Sequence, residues 1–278
     1  MKKALLYAGP FEFSSVRFVL GALCLFALIK ALRRPLRIRP VGPVVWAGLL
    51  QTTGTFGFAT WALMTAPAGR IAVLGYTMPF WVVLLAWPTL RERPSRLQWL
   101  ATFVASMGLG LILASAGGSG GTSAAIVATL GGLSWAGGTL ITRRLLTHSS
   151  VDPLALTAWQ MLFGGLGLTV AALVAPSARG FVWSPYLVFA FFYTIVLASA
   201  LAWLFWFIVL QRMEAGLASL TILATPVLGI FFGRLELAER PRGEELLGMA
   251  LIALALLIVG PLAMRSAYAR HRSTVRGT

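Results

Sequence analysis

The stretch "LRERPS" at residues 90–95 returns as "LAERPR" at 237–242, so that Glu-Arg-Pro stands at 92–94 and again 147 residues later at 239–241. Each copy follows a long apolar run and precedes another. Proline and a carboxylate both suit a helix start, because the first turn has unpaired N–H groups and a positive dipole end. The corner therefore reads as punctuation between two helices, with Glu92 and Glu239 as helix-corner residues.

The runs on either side decide the class. Hydrophobic residues make up 58% of the 278 and charged residues 11%, against about 25% charged in an average soluble domain. So few charges cannot cover the surface of a soluble fold of this size. About 20 apolar residues cross a bilayer as a helix, and the chain offers nine such segments: 13–32, 44–64, 69–90, 96–115, 123–144, 153–175, 185–210, 216–235 and 244–264. They are too long, and alternate too little, for barrel strands. The net charge of +15 comes from short basic clusters between the runs, which is how orientation signals are placed in membrane proteins. A nucleic-acid partner is not expected, since that needs a continuous basic face. One cysteine, Cys24, and two histidines, His148 and His271, offer no metal-ligand spacing; Cys24 reads as a small packing residue.

The repetition extends beyond the corners. "PAGRIAVLGYTMPFW" at 67–81 aligns with "EAGLASLTILATPVL" at 214–228, pairing Pro79 with Pro226, and "GPFEFSSVRFVLGAL" at 9–23 aligns with "DPLALTAWQMLFGGL" at 152–166. The chain reads as two copies of one unit, residues 1–120 and 121–278. The second copy holds five spans and the first holds four, with "KKALLYAG" standing where the tail of a further span is expected. Two five-span units in series enter the membrane from opposite sides. The expected fold is therefore an all-α integral membrane protein built as an inverted repeat of five-helix units, with nine spans of an expected ten. Alternation places fifteen Lys and Arg on one side and seven on the other, with Arg17 inside a span. The positive-inside rule then makes the richer side, and the C-terminus, cytoplasmic.

Taken together, "SSVRF" at 14–18, the Ala-Gly before a span with a central proline, and the Glu-Arg-Pro corner after it resemble the EamA family, the ten-span branch of the drug/metabolite transporter superfamily. The resemblance covers nearly the whole chain and recurs in both halves. It implies a bacterial inner-membrane exporter of amino acids or related small metabolites, working without a cofactor. It also implies a first span that helps line a central cavity, the span that this sequence is expected to lack. Two other readings keep the membrane fold: a flippase for a lipid-linked substrate, and a non-transporting partner protein. An enzyme would need a nucleophile and base, or metal ligands, at depth, and His, Asp and Glu are absent there. No phosphate-binding Gly-rich loop ending in Lys is present either.

Candidate substrate-binding residues gather around the two prolines. Pro79 and Pro226 each remove a backbone hydrogen bond, exposing the carbonyls of Gly75 and Ile222. Breaks at matching places of two inverted copies point to a transport site. Near them stand Gln51 and Thr55, one turn apart, then Tyr76, Trp135, Ser199, Trp203 and Trp206. Buried aromatic rings give a zwitterionic metabolite an apolar wall with hydrogen-bonding edges. Packing or contact with lipid accounts equally for any single Trp. Arg17 is the one charge well inside a span. Gln160 takes its place in the other copy, which leaves structural hydrogen bonding as natural a role as function. All eight acidic residues fall in loops or at span ends. The expected driving force is therefore the substrate's own gradient.

Overall fold

The computed structural model describes residues 7–63, 71, 74–115, 122–175, 180–225, 228 and 243–276. Every regular element among them is helical. We number them α1 (Pro10–Ala31), α2 (Val41–Gly48), α3 (Thr55–Leu63), α4 (Met78–Leu90), α5 (Arg96–Ser115), α6 (Thr122–His148), α7 (Pro153–Val174), α8 (Pro185–Phe192), α9 (Ala202–Arg212), α10 (Ala215–Thr221) and α11 (Gly243–Arg276). Helix occupies all or part of each of the nine expected segments. Among the described residues five helices are long and apolar enough to cross a membrane. Two elements are wound as π-helix, Leu49–Gly54 between α2 and α3 and Tyr193–Leu201 between α8 and α9.

The chain forms two compact units, Met1–Thr60 with Gly137–Gln211, and Trp61–Ala136 with Arg212–Thr278. Neither coincides with a sequence half; each joins an early stretch to a late one.

In unit 1, α1 and α7 pack along their length in opposite directions. Arg34, just past the end of α1, pairs with Asp152 at the start of α7 at 3.0 Å, and the Trp159 indole donates to the Leu36 carbonyl at 2.9 Å. At the other end the Val182 amide, ahead of α8, donates to the Tyr7 carbonyl at 2.8 Å. The aligned stretches 9–23 and 152–166 thus run antiparallel, as an inverted repeat requires. Both start with proline at the first helical positions, and α7 adds an Asp152 cap accepting from the amides of Leu154 and Ala155 at 2.8 and 3.1 Å. Small residues let the helices approach, which is how membrane helices gain packing contacts. A Cβ on Gly48 would stand 2.6 Å from the Gln160 carbonyl oxygen, and one on Gly164 would stand 2.7 Å from that of Gly48.

The π stretches share a register. Each ends on an amide that reaches back five residues, Thr55 to the Leu50 carbonyl and Ala202 to the Leu197 carbonyl. The two are 147 residues apart, the spacing of the Glu-Arg-Pro corners. A π turn inserts a residue into a helix and disturbs its backbone pairing, commonly at functional positions.

In unit 2, α5 and α11 meet at Gly108 and Gly248; a Cβ on either would lie 2.6 Å from the other's carbonyl oxygen. Cys24, in unit 1, is exposed and does not pack inside as expected. Trp46 and Trp183, near span ends, are exposed.

Candidate functional site

The polar residues of unit 1 bond mainly to one another. Gln51, fully buried in the first π stretch, donates from Nε2 to Thr139 Oγ1 at 3.0 Å and accepts from Thr142 Oγ1 at 3.3 Å. The sequence put Gln51 forward as a substrate ligand; the structure places it as a tie between this helix and α6. Thr55 turns back on its own helix, its hydroxyl donating to the Leu50 carbonyl at 3.2 Å. Gln160 donates to Thr52 Oγ1 at 2.9 Å.

Arg17, the eighth residue of α1 as Gln160 is of α7, is 4% exposed. Its guanidinium lies over the rings of Phe18 and Phe56, 4.5 and 4.6 Å from their centroids. Aromatic faces stabilise a cation withdrawn from water. The two equivalent residues therefore act on one helix a turn apart, at Thr52 and Phe56. Trp203 sets its ring edge-on to Phe18 at 5.6 Å and packs beside Phe207 at 6.3 Å, so it is a core residue. Trp206 is half-buried. Ser199, fully buried in the second π stretch, has no hydrogen-bond partner for its hydroxyl among the described residues.

Arg143 belongs to the fifteen basic residues that alternation places on one side, yet it is not a solvent-facing charge. It is 1% exposed and donates from Nη1 to the carbonyls of Leu210 at 2.6 Å and Gln211 at 3.1 Å. These lie in the last turn of α9, whose carbonyls have no intrahelical partner.

In unit 2 the break in the 69–90 segment lies at Tyr76–Thr77, and Pro79 is not mid-helix but in the first turn of α4. The carbonyl most engaged there is that of Leu74, which accepts from the Thr77 amide at 3.1 Å and the Thr77 hydroxyl at 2.7 Å. Pro79 has no N–H for the Gly75 carbonyl. After α10 the chain turns again at Ile222–Leu223, within one residue of the position 147 further on. The Ile222 carbonyl accepts from the Thr225 amide at 2.9 Å and is not left exposed as expected. Pro226 and Glu239 lie outside the described residues.

Gly132 of α6 seats the first break: a Cβ there would meet Thr77 Oγ1 at 3.0 Å and the Met78 amide nitrogen at 3.3 Å. Trp135, three residues on, shares that helix face. The Trp81 indole N–H, in the second turn of α4, is buried with no acceptor among the described residues. Tyr76 is half-buried beside the break.

Glu92 was expected to serve the helix it precedes. That helix, α5, is instead started by a reciprocal cap in which the Ser95 amide donates to Gln98 Oε1 at 2.5 Å and the Gln98 amide donates to Ser95 Oγ at 3.2 Å. Glu92 accepts the Ala215 amide at 2.7 Å, at the start of α10 in the other half of the sequence. Gln98 Nε2 reaches Glu214 at 3.4 Å.

Comparison with known proteins matches residues 1–114 and 122–260 to the EamA-like transporter family. Similar proteins include the uncharacterized transporter YoaV of Bacillus subtilis, 25% identical over 90% of this chain and 86% of its own. Protein PecM of Dickeya dadantii is 24% identical over 87% of this chain and 84% of its own. A solved crystal structure superposes with a TM-score of 0.78 over 95% of this chain and 92% of that one at 20% identity, which identifies the fold.

Proposed function

The chain belongs to the EamA-like transporter family, and we propose that this membrane transporter exports a neutral or zwitterionic metabolite of the amino-acid class by alternating access. The observation behind this reading is the helix break at Tyr76–Thr77, with a second turn at Ile222–Leu223 in the same unit. Discontinuous helices at matching places of two copies supply both signs of backbone charge at depth.

Each pole of a zwitterion has a partner at the first break. The start of α4 presents amides and the positive end of a 13-residue helix, with the Trp81 indole N–H as a further donor for a carboxylate. The Gly75 carbonyl accepts from an ammonium. Tyr76 and Trp135 supply aromatic edge and face for the side chain. Gln51, Thr52, Thr139, Thr142 and Gln160 of unit 1, bonded among themselves, act as scaffold. Among the described residues no carboxylate or imidazole stands in the middle of a span to relay a proton, which favours the substrate's own gradient as the driving force. In the cell the protein sits in a bacterial inner membrane, its C-terminus in the cytoplasm.

Purified full-length protein in liposomes, tested with a panel of labelled amino acids and related metabolites, checks this. Downhill flux of a zwitterion is expected with no ion gradient imposed. Trp135→Ala and Tyr76→Phe should each lower it several-fold, with the variants as stable as wild type. Flux that requires a pH or sodium gradient overturns the uniport reading. Unaltered flux in both variants overturns the site.

A further inference from the structure

Unit 1 carries a cavity of about 680 Å³ between α2, with Pro40 just ahead of it, and the last two turns of α6. We propose that it binds the headgroup of an anionic phospholipid. Its walls include Pro40, Pro43, Trp46 and Ile141; its charge comes from Arg144, and the His148 ring stands one turn on, both exposed. The volume falls in the range of small-molecule sites.

Three observations select the occupant. The first is charge. The acid nearest in sequence, Asp152, is already bound by Arg34 at 3.0 Å and by the first amides of α7. Arg144 has no ion pair among the described residues. The same end of the unit carries Lys30, Arg33, Arg34, Arg37 and Arg39, so the local field favours an anion. The second is depth. This end joins the close of α1 and α6 to the start of α2 and α7, where helices leave the membrane. Trp46, 60% exposed, is placed as an interfacial anchor would be at the headgroup level. The third is the lining. A free phosphate gains nothing from proline, tryptophan and isoleucine walls. A lipid places its phosphate on Arg144 and His148 and its glycerol and first acyl carbons on those walls. Basic pockets between membrane helices recognise lipid phosphates in this way.

Native mass spectrometry of the full chain in detergent, with phosphatidylglycerol or phosphatidylcholine added, tests the assignment. Wild type should retain phosphatidylglycerol about tenfold over phosphatidylcholine. Arg144→Ala combined with His148→Ala should cut that retention at least fivefold. Both side chains are exposed, so folding is not at stake. Arg96→Ala, which removes equal charge from an exposed site outside the cavity, should retain the lipid as wild type does. Equal retention of the two lipids overturns the proposal, as does a double variant that binds normally. An Arg96→Ala loss as large as the double variant's reduces the effect to net charge and also overturns it. Displacement by millimolar inorganic phosphate assigns the site to a soluble anion instead.

Discussion

Replacing Arg143 by leucine tests whether a buried cation holds the end of α9. In the native protein one guanidinium nitrogen serves two carbonyls, at 2.6 and 3.1 Å. Both carbonyls belong to the last turn of the helix, where the backbone has no donor of its own and the dipole is negative. Leucine fills much of the space but donates nothing. Each buried carbonyl left unpaired costs about 1–3 kcal/mol. Against this, the variant no longer keeps a charge out of water, and relief of that burial offsets part of the loss. The expected net destabilisation is about 2–4 kcal/mol. Arg143→Lys retains the charge but not the planar fork, and should lose about half as much. Reversible unfolding by sodium dodecyl sulfate, followed by circular dichroism in a zwitterionic detergent, reads the difference. Arg144→Leu is the control: its side chain is exposed, and the change should stay within about 0.5 kcal/mol. If Arg143→Leu unfolds with the control, the two hydrogen bonds are incidental and the capping argument fails.

Two other outcomes follow from the geometry. Glu92→Ala removes the acceptor of the Ala215 amide and should cost about 1 kcal/mol, as caps do. Hydrogen exchange across Ala215–Thr221 should then quicken about fivefold, and unchanged exchange would show that α10 does not depend on Glu92. In a Cys24→Ser background, an impermeant maleimide applied to intact cells should label Gly180→Cys and spare Ser149→Cys, if the basic end faces the cytoplasm as the positive-inside rule expects; the reverse pattern inverts the topology.

Composition and run length settled the class, because a bilayer accepts only apolar helices or closed barrels and these runs are too long for barrel strands, which is a property of the chain itself. The spacing between the two Glu-Arg-Pro corners also located real irregularities: the π stretches end in matching register, and the helix breaks fall within a residue of it. Proline signalled the break in the first copy without fixing it, since the turn lies at Tyr76–Thr77 and Pro79 opens the helix that follows. Partners were not legible. Gln51 and Arg17 looked alike in sequence as polar residues at depth, yet one is held by Thr139 and Thr142 and the other by two phenyl rings. Glu92 bonds 123 residues away and Arg143 bonds 67 and 68 residues away. Periodicity reports which face of a helix is apolar, within a few turns. Which donor meets which acceptor depends on how helices distant in sequence cross, and close crossings at glycines such as Gly48 with Gly164 set that only once the chain is packed.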